Sequence, residues 1–310
     1  MNRRTAQSGF ALLVALVLVV LAGVALAALA RRSAAEALEA RTAREELQRR
    51  WAVTSLRAAL LGRVEELLDQ AERGEGPDTR PAETYLNRPM PHLGIPCRLA
   101  GADYELVLTD EQAKLNLNRL LAEAGRAETA AAARLATASA GAADQTAAGQ
   151  LSIRPFVPSS LGPLVPASLR SSPLAAVGGY GQVFAGAAPE RLVGREGAPG
   201  LAEAVTCWGD GRVNLRRAPE AVVRQACDKA LGRDVVTLLL AARRRDPYRP
   251  LEAILAELDE VDEAQRAGVK DRLTDRSTCH GLWVIARGPQ RSWYTFAVSA
   301  DGERPREFQW

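Results

Sequence analysis

Hydrophobic and polar positions divide this chain into an apolar start, an amphipathic continuation and a long mixed remainder. Residues 1–9 are polar and basic, with Arg3 and Arg4. Residues 10–30 carry no charge, and Arg31 and Arg32 close the run. At about 1.5 Å of rise per residue, an α-helix of that length covers about 30 Å, the thickness of a bilayer core. Helical periodicity continues beyond it. Residues 31–73 hold no proline and a single glycine, Gly62. Leu47, Trp51, Thr54, Ala58, Leu61, Val64 and Leu68 step by three or four residues, which predicts one face of a helix whose other faces carry Glu, Arg and Gln. Gly74-Glu75-Gly76-Pro77 is the expected stop.

The remainder alternates in character. Four prolines within 81–96 predict a loop. Residues 97–108 predict a hairpin that turns at Gly101-Ala102-Asp103, with Tyr104, Leu106 and Leu108 alternating as on a half-buried strand. Residues 121–150 are rich in alanine, and 151–200 in Pro, Gly and Ser. Residues 219–245 and 249–272 read as helices, with Pro219 suited to a first turn. Residues 278–286 and 292–299 read as closing strands, and 308–310 as a short added edge.

Composition narrows the function. Lys plus Arg number 40 against 37 for Asp plus Glu, so a nucleic-acid partner is not expected. The two histidines, His92 and His280, supply little for a metal site or a catalytic triad. No G-x-S-x-G elbow marks a hydrolase. The adjacent acids Asp110 and Glu111 invite a catalytic dyad, yet no nucleophile or His lies near them in sequence, and a turn role suffices. Gly209-Asp210-Gly211 lacks the rest of a phosphate-binding fingerprint and suits a tight turn. The acids Glu257, Asp259, Glu260, Asp262 and Glu263 lack EF-hand spacing and read as a solvated face, while Arg243 to Arg245 form a basic knot. No enzymatic activity and no cofactor are expected. Cys97, Cys207, Cys227 and Cys279 form no CxxC pair and, in an exported chain, allow three pairings.

Residues alone leave two readings of the apolar run. A cleaved signal peptide has the same basic start and the small-residue sites Ala25-Leu26-Ala27 and Ala28-Leu29-Ala30. A retained helix fits the amphipathic continuation. Ser8-Gly9-Phe10 resembles the prepilin peptidase site of type IV pilins and pseudopilins. The resemblance implies a cut between Gly9 and Phe10, methylation of Phe10, and a membrane and filament helix that includes Phe10, Leu13, Val14 and Leu18. Most pilins carry Glu at the fifth mature position, here Val14, and the K-type minor pseudopilin is known for lacking it. Thr109-Asp110-Glu111-Gln112-Ala113-Lys114-Leu115-Asn116-Leu117-Asn118 resembles that family's "D-E-Q-G-K-x-N-L-N" segment, with Ala113 for Gly. Similarity returns from Ser172-Pro173-Leu174 to Val183-Phe184. Val205 to Leu215, followed by Ala218-Pro219, is similar to its strand, turn and helix start, with Arg216 and Arg217 where Asn and Thr are usual.

The chain thus resembles the general secretion pathway protein K family, the minor pseudopilins of type II secretion systems. The resemblance implies an α+β, pilin-like fold: a long N-terminal helix packed on an antiparallel sheet, with an inserted, mostly α-helical domain. The implied parts are a leader at 1–9, a transmembrane or filament-core helix at 10–30, its continuation at 31–76, the first part of the β domain at 77–118, the insertion at 119–275 and closing strands at 276–310. Residues 120–170 diverge from the family, and part of them is expected to be disordered. The family's calcium is not expected to carry over, because Glu128 and Asp144 are the only acids between Arg126 and Ser160. Implied partners are the I- and J-type minor pseudopilins, the major pseudopilin, prepilin peptidase and the inner membrane, with the globular part in the periplasm. Cys207–Cys227 is the favoured disulfide. The alternatives are a minor pilin of a type IV pilus-like system and an exported helix-hairpin-helix protein, which the 213–219 segment also resembles.

Overall fold

The computed structural model describes residues 4–74, 91–139, 177–184, 186–195, 198–258, 261–288, 291–300 and 304–310. It comprises two units, Met1–Thr54 and Ser55–Trp310.

The first unit is helical. Helix α1, Arg4–Leu60, starts in it and runs on into the second. Leu and Ala dominate its apolar stretch, and the one glycine there, Gly23, is tolerated in a run of strong helix formers. Phe10, Leu13, Leu16, Leu18 and Leu21 are all exposed. An α-helix satisfies its own backbone, so it alone among open structures can carry such a surface into lipid. Past the apolar stretch, Arg32–Glu36 and Arg41–Glu45 pair at i, i+4 along the surface. Leu47, Trp51, Thr54 and Ala58 of the expected apolar face are exposed, and only Leu61, Val64 and Leu68 of it are buried. Periodicity sets which residues share a face, not where a neighbouring layer begins.

In the second unit a 3-10 turn, Leu61–Arg63, leads into α2, Val64–Glu72. The sheet consists of β1 (His92–Leu99), β2 (Ala102–Asp110), β9 (Cys279–Arg287), β10 (Ser292–Ala300) and β11 (Arg306–Gln309), in the order β1-β2-β9-β10-β11 and antiparallel throughout. β1 starts at His92, so the loop expected up to Pro96 ends earlier. Pro96 lies within an edge strand, where a missing N–H is tolerable, and the hairpin turns at Ala100-Gly101, both with positive φ. The rest of the expected loop lies outside the described residues.

Everything between β2 and β9 is an insertion. It holds β3 (Leu115–Asn116), α3 (Leu117–Ser139), the short helices α4 (Tyr180–Val183) and α5 (Pro189–Val193), and the pair β4 (Gly194–Arg195) and β5 (Ala198–Pro199). It continues with β6 (Val205–Thr206), β7 (Val213–Asn214), α6 (Glu220–Leu231), α7 (Arg233–Arg245), α8 (Leu251–Glu257), α9 (Glu263–Arg272) and β8 (Leu273–Thr274). The two helices expected at 219–245 and 249–272 are each divided. Gly232, at φ 86°, separates α6 from α7, and Asp262 starts α9 with a capping box to Gln265. Residues 140–176 lie outside the described ones, and with them the start of the Ser172–Phe184 segment, whose remainder from Val177 is described.

Aromatic residues are few but concentrated. Tyr180 meets Trp208 edge-on at 4.7 Å, and Trp283 of β9 packs on Phe296 of β10 at 4.7 Å. Sheet and insertion therefore share one core. Strand alternation turns Leu106, Leu108, Leu282 and Val284 to the other face, where α2 lies with Val64 and Leu68 buried. The observed architecture is α+β, with a long helix, an antiparallel sheet and a helical insertion.

Candidate functional site

The polar run from Asp110 to Asn118 enters the interior instead of turning at the surface. Asp110 ends β2, opposite His280 on β9. Its Oδ1 accepts from the Gln112 and Ala113 amides at 2.9 and 3.1 Å, which caps a 3-10 turn at Glu111–Ala113. Ser277 Oγ donates to the same oxygen at 2.6 Å, and Asn214 Nδ2 donates to Oδ2 at 2.8 Å. Burial raises the Asp110 carboxyl, while Arg217 and Ser277 work to lower it.

Glu111 has no exposed surface, yet all its neighbours donate. Thr109 and Lys114 donate to Oε1, Thr206 donates to Oε2 at 2.7 Å, and the Tyr180 hydroxyl lies 3.2 Å from Oε2. A buried carboxylate is tolerable only with such partners. Gln112 donates to Asp210 and accepts from the Thr278 amide. Asn116 donates to the Trp208 carbonyl, and Asn118 exchanges two bonds with the Val177 backbone. Two short parallel pairings, β3 with β6 and β7 with β8, set these side chains in register. The segment is a stitch across the insertion.

Beside it lies a charge lock that the sequence reading missed. Arg217 is wholly buried and faces three carboxylates of α2: Glu72 at 2.8 Å, Glu65 at 2.5 Å and Asp69 at 2.6 Å. Arg216 shares Asp69 at 2.8 Å and also pairs with Glu72. His280 Nε2 lies 2.9 Å from Glu65. Burial opposes the charge of Arg217, but Glu65, Glu72 and Asp110 outweigh it and hold the guanidinium above its ordinary value. Burial likewise pushes Glu65 upward, and His280 with Arg217 outweighs it, leaving Glu65 below the usual carboxylate range. The i, i+4, i+7 spacing of Glu65, Asp69 and Glu72 was a usable signal, as was the adjacent pair Arg216 and Arg217.

Other expected sites resolve into local roles. Phe10, Leu13, Val14 and Leu18 lie on α1 with exposed side chains, and Gly9 is in the same helix. Gly209 and Gly211 have φ near +85° and +87°, and a Cβ on Gly211 would fall 2.9 Å from Arg119. Arg243 donates to the Leu215 and Ala218 carbonyls, and Arg244 pairs with Glu220, so the basic knot is largely partnered. Of the acidic set, Glu257 binds Arg249 and Asp262 caps α9, while 259–260 lie outside the described residues. No disulfide joins Cys207 to Cys227. Their surroundings differ: Glu111 and Lys114 lie near Cys207, whereas Arg272 and Arg119 lie near Cys227. Burial pushes the Cys227 thiol up to about 12.

Fold and site define an α+β protein with an N-terminal helix long and apolar enough to cross a membrane and a helical insertion tied in by buried charge. No family model matches the chain, and no curated protein matches it. Among solved structures it is similar to a chain in the crystal structure of the GspK-GspI-GspJ complex from the enterotoxigenic Escherichia coli type 2 secretion system. That similarity has 15% sequence identity, covers 88% of this chain and 98% of that chain, and has a TM-score of 0.44.

Proposed function

We propose that this chain is a minor pseudopilin of the K type, standing at the tip of a type II secretion pseudopilus. The observation that carries the reading is the continuity of α1. The apolar stretch is not a separate segment but the first part of a helix that runs to Leu60. A signal peptide needs no such continuation. A pilin does, because the same helix anchors the subunit in the membrane before assembly and lies in the filament core afterwards. The α+β body fits the role, since a sheet interrupted by a bulky insertion between β2 and β9 would obstruct a subunit above it. The order of the sequence motifs adds support.

On this reading the anchor is single-pass in the inner membrane and the body is periplasmic. The I- and J-type minor pseudopilins and the major pseudopilin are the helix partners, and the chain initiates and caps the filament. A nucleic-acid role finds no support in Arg216 and Arg217, whose guanidinium groups face the acids of α2. Mass spectrometry of membrane-extracted protein tests the proposal. The expected mature chain begins at a methylated Phe10. A chain beginning near Ser33 would refute it.

A further inference from the structure

Helix α2 has two faces with different partners. Val64 and Leu68 are buried on the sheet side. Glu65, Asp69 and Glu72 share another face and meet Arg216 and Arg217. In Arg217, Nε, Nη1 and Nη2 each donate to a different carboxylate of this helix, those of Glu72, Glu65 and Asp69. A planar guanidinium occupied in three directions has one position, because its donors are fixed in a fork. Arg217 stands between β7 and α6, so the fork ties the start of α6 to α2. Asp110, at 3.5 Å, extends the tie to the end of β2.

The helix is weaker immediately upstream. Leu61–Arg63 is a 3-10 turn between two α-helical stretches. Gly62 is exposed, and nothing lies within 4 Å of where its Cβ would be. No packing explains a glycine there, and glycine loosens a helix interior. A short 3-10 stretch within a helix is a common site of a hinge.

We propose that the lock is a strut that makes α2 one body with the insertion and leaves Leu61–Arg63 as the joint at which the long helix yields. Arg217 is the positioning residue and Glu72 its most buried partner on α2. Apolar contacts with the sheet hold α2 against the core but allow sliding, whereas directed bonds to three acids fix both its rotation and its register. The consequence for a filament rests on the functional reading above: a load on the insertion reaches α1 through this joint.

Hydrogen exchange on the full chain in detergent micelles tests the strut without reference to secretion. In the wild type, amides at 61–63 should exchange about tenfold faster than those of α2. Arg217→Met should raise exchange across α2 and 213–223 by about tenfold or more and leave β9 and β10 unchanged, because local opening reports local ties. Adding Glu72→Gln, which removes a buried charge left with Arg216 after Arg217 is lost, should restore part of the protection. If Arg217→Met does not fold, Arg217→Lys keeps the charge without the fork and should give the same pattern more weakly. Gly62→Ala should slow exchange at 61–63 and leave α2 as it was. A uniform rise over sheet and helices, or an unaltered α2, would overturn the strut. Equal protection of 61–63 and α2 in the wild type would overturn the joint. Mature protein that begins near Ser33 would refute the functional reading and leave these outcomes standing.

Discussion

Residues 10–30 and residues 110–118 invert each other. In the first stretch Phe10, Leu12, Leu16, Leu18 and Leu26 are exposed by more than half of their surface. In the second, Asp110, Glu111, Gln112, Lys114 and Asn116 are buried. A water-soluble domain would hide the first group and expose the second. Each departure needs its own compensation, and the two compensations differ. The apolar stretch calls for a second solvent or for other helices, because no rearrangement of its own residues would cover it. The polar stretch is compensated within the chain, by Thr109, Thr206, Asn214, Ser277 and Arg217. The difference separates a surface made for something outside the molecule from an interior that holds the molecule in one form.

Breaking the interior should have the largest effect. Glu111→Ala leaves Lys114 buried without its carboxylate and leaves the hydroxyls of Thr109 and Thr206 without an acceptor. Removing one partner of a buried ion pair typically costs about 3–5 kcal/mol. Denaturant unfolding of the body should show a loss of that order, while retention in membranes stays unchanged. If both properties fail together, the two stretches are not independent.

The converse substitution acts on the first stretch alone. A lysine near the centre of a membrane helix costs about 2.5–3.5 kcal/mol. Leu18→Lys should therefore lower the fraction resistant to alkaline extraction and leave the unfolding midpoint of the body where it was. Retention equal to wild type would mean that residues 10–30 do not reside in lipid.

Acid titration sharpens the picture of the lock. Glu65 is held below its ordinary value, so its contribution to stability is present above the unfolded carboxylate pKa and lost as pH falls through the lower, folded value. Asp110 has the opposite sign. Its raised pKa gives a contribution that is present below the unfolded value and lost as pH rises through the folded one. Acid unfolding of wild type should thus steepen below the usual carboxylate range, and Glu65→Gln should flatten that limb. An unchanged acid limb in Glu65→Gln would show that Glu65 does not report on the lock.

The two stretches also differ in how far they could be read from sequence. The apolar run, its helical continuation, the hairpin into β2 and the closing strands follow from local periodicity and are present, with ends displaced where Pro96 tolerates an edge strand and Gly232 divides a helix. The lock did not follow. Glu65 and Arg217 are far apart in sequence, and a stripe of acids on a helix ordinarily meets water. Nor did the burial of Glu111, because its compensating groups come from residues 109, 114, 180 and 206, which no local window contains. Local pattern reports what a segment needs to bury. It does not report which distant segment will satisfy it.

The smallest expected effect concerns Val14, on the exposed stretch of α1. On the proposed reading Val14 is the fifth mature residue, the place where the Glu usual in pilins would pair with the N-terminal amine of a neighbouring subunit. A subunit with no neighbour above it has no such partner. A carboxylate there would then remain unpaired in an apolar medium, at a desolvation cost, or stay protonated. Valine avoids both outcomes. It follows that Val14→Glu should bring no gain in secretion or pseudopilus length at equal expression, and that Val14→Ala should match the wild type. A subunit inside the shaft would behave differently, because restoring Glu would restore a pair. The three chains compared side by side therefore ask whether the exposed stretch meets its partners from one side or from both. A clear gain from Glu alone would place the subunit within the shaft and remove the tip assignment.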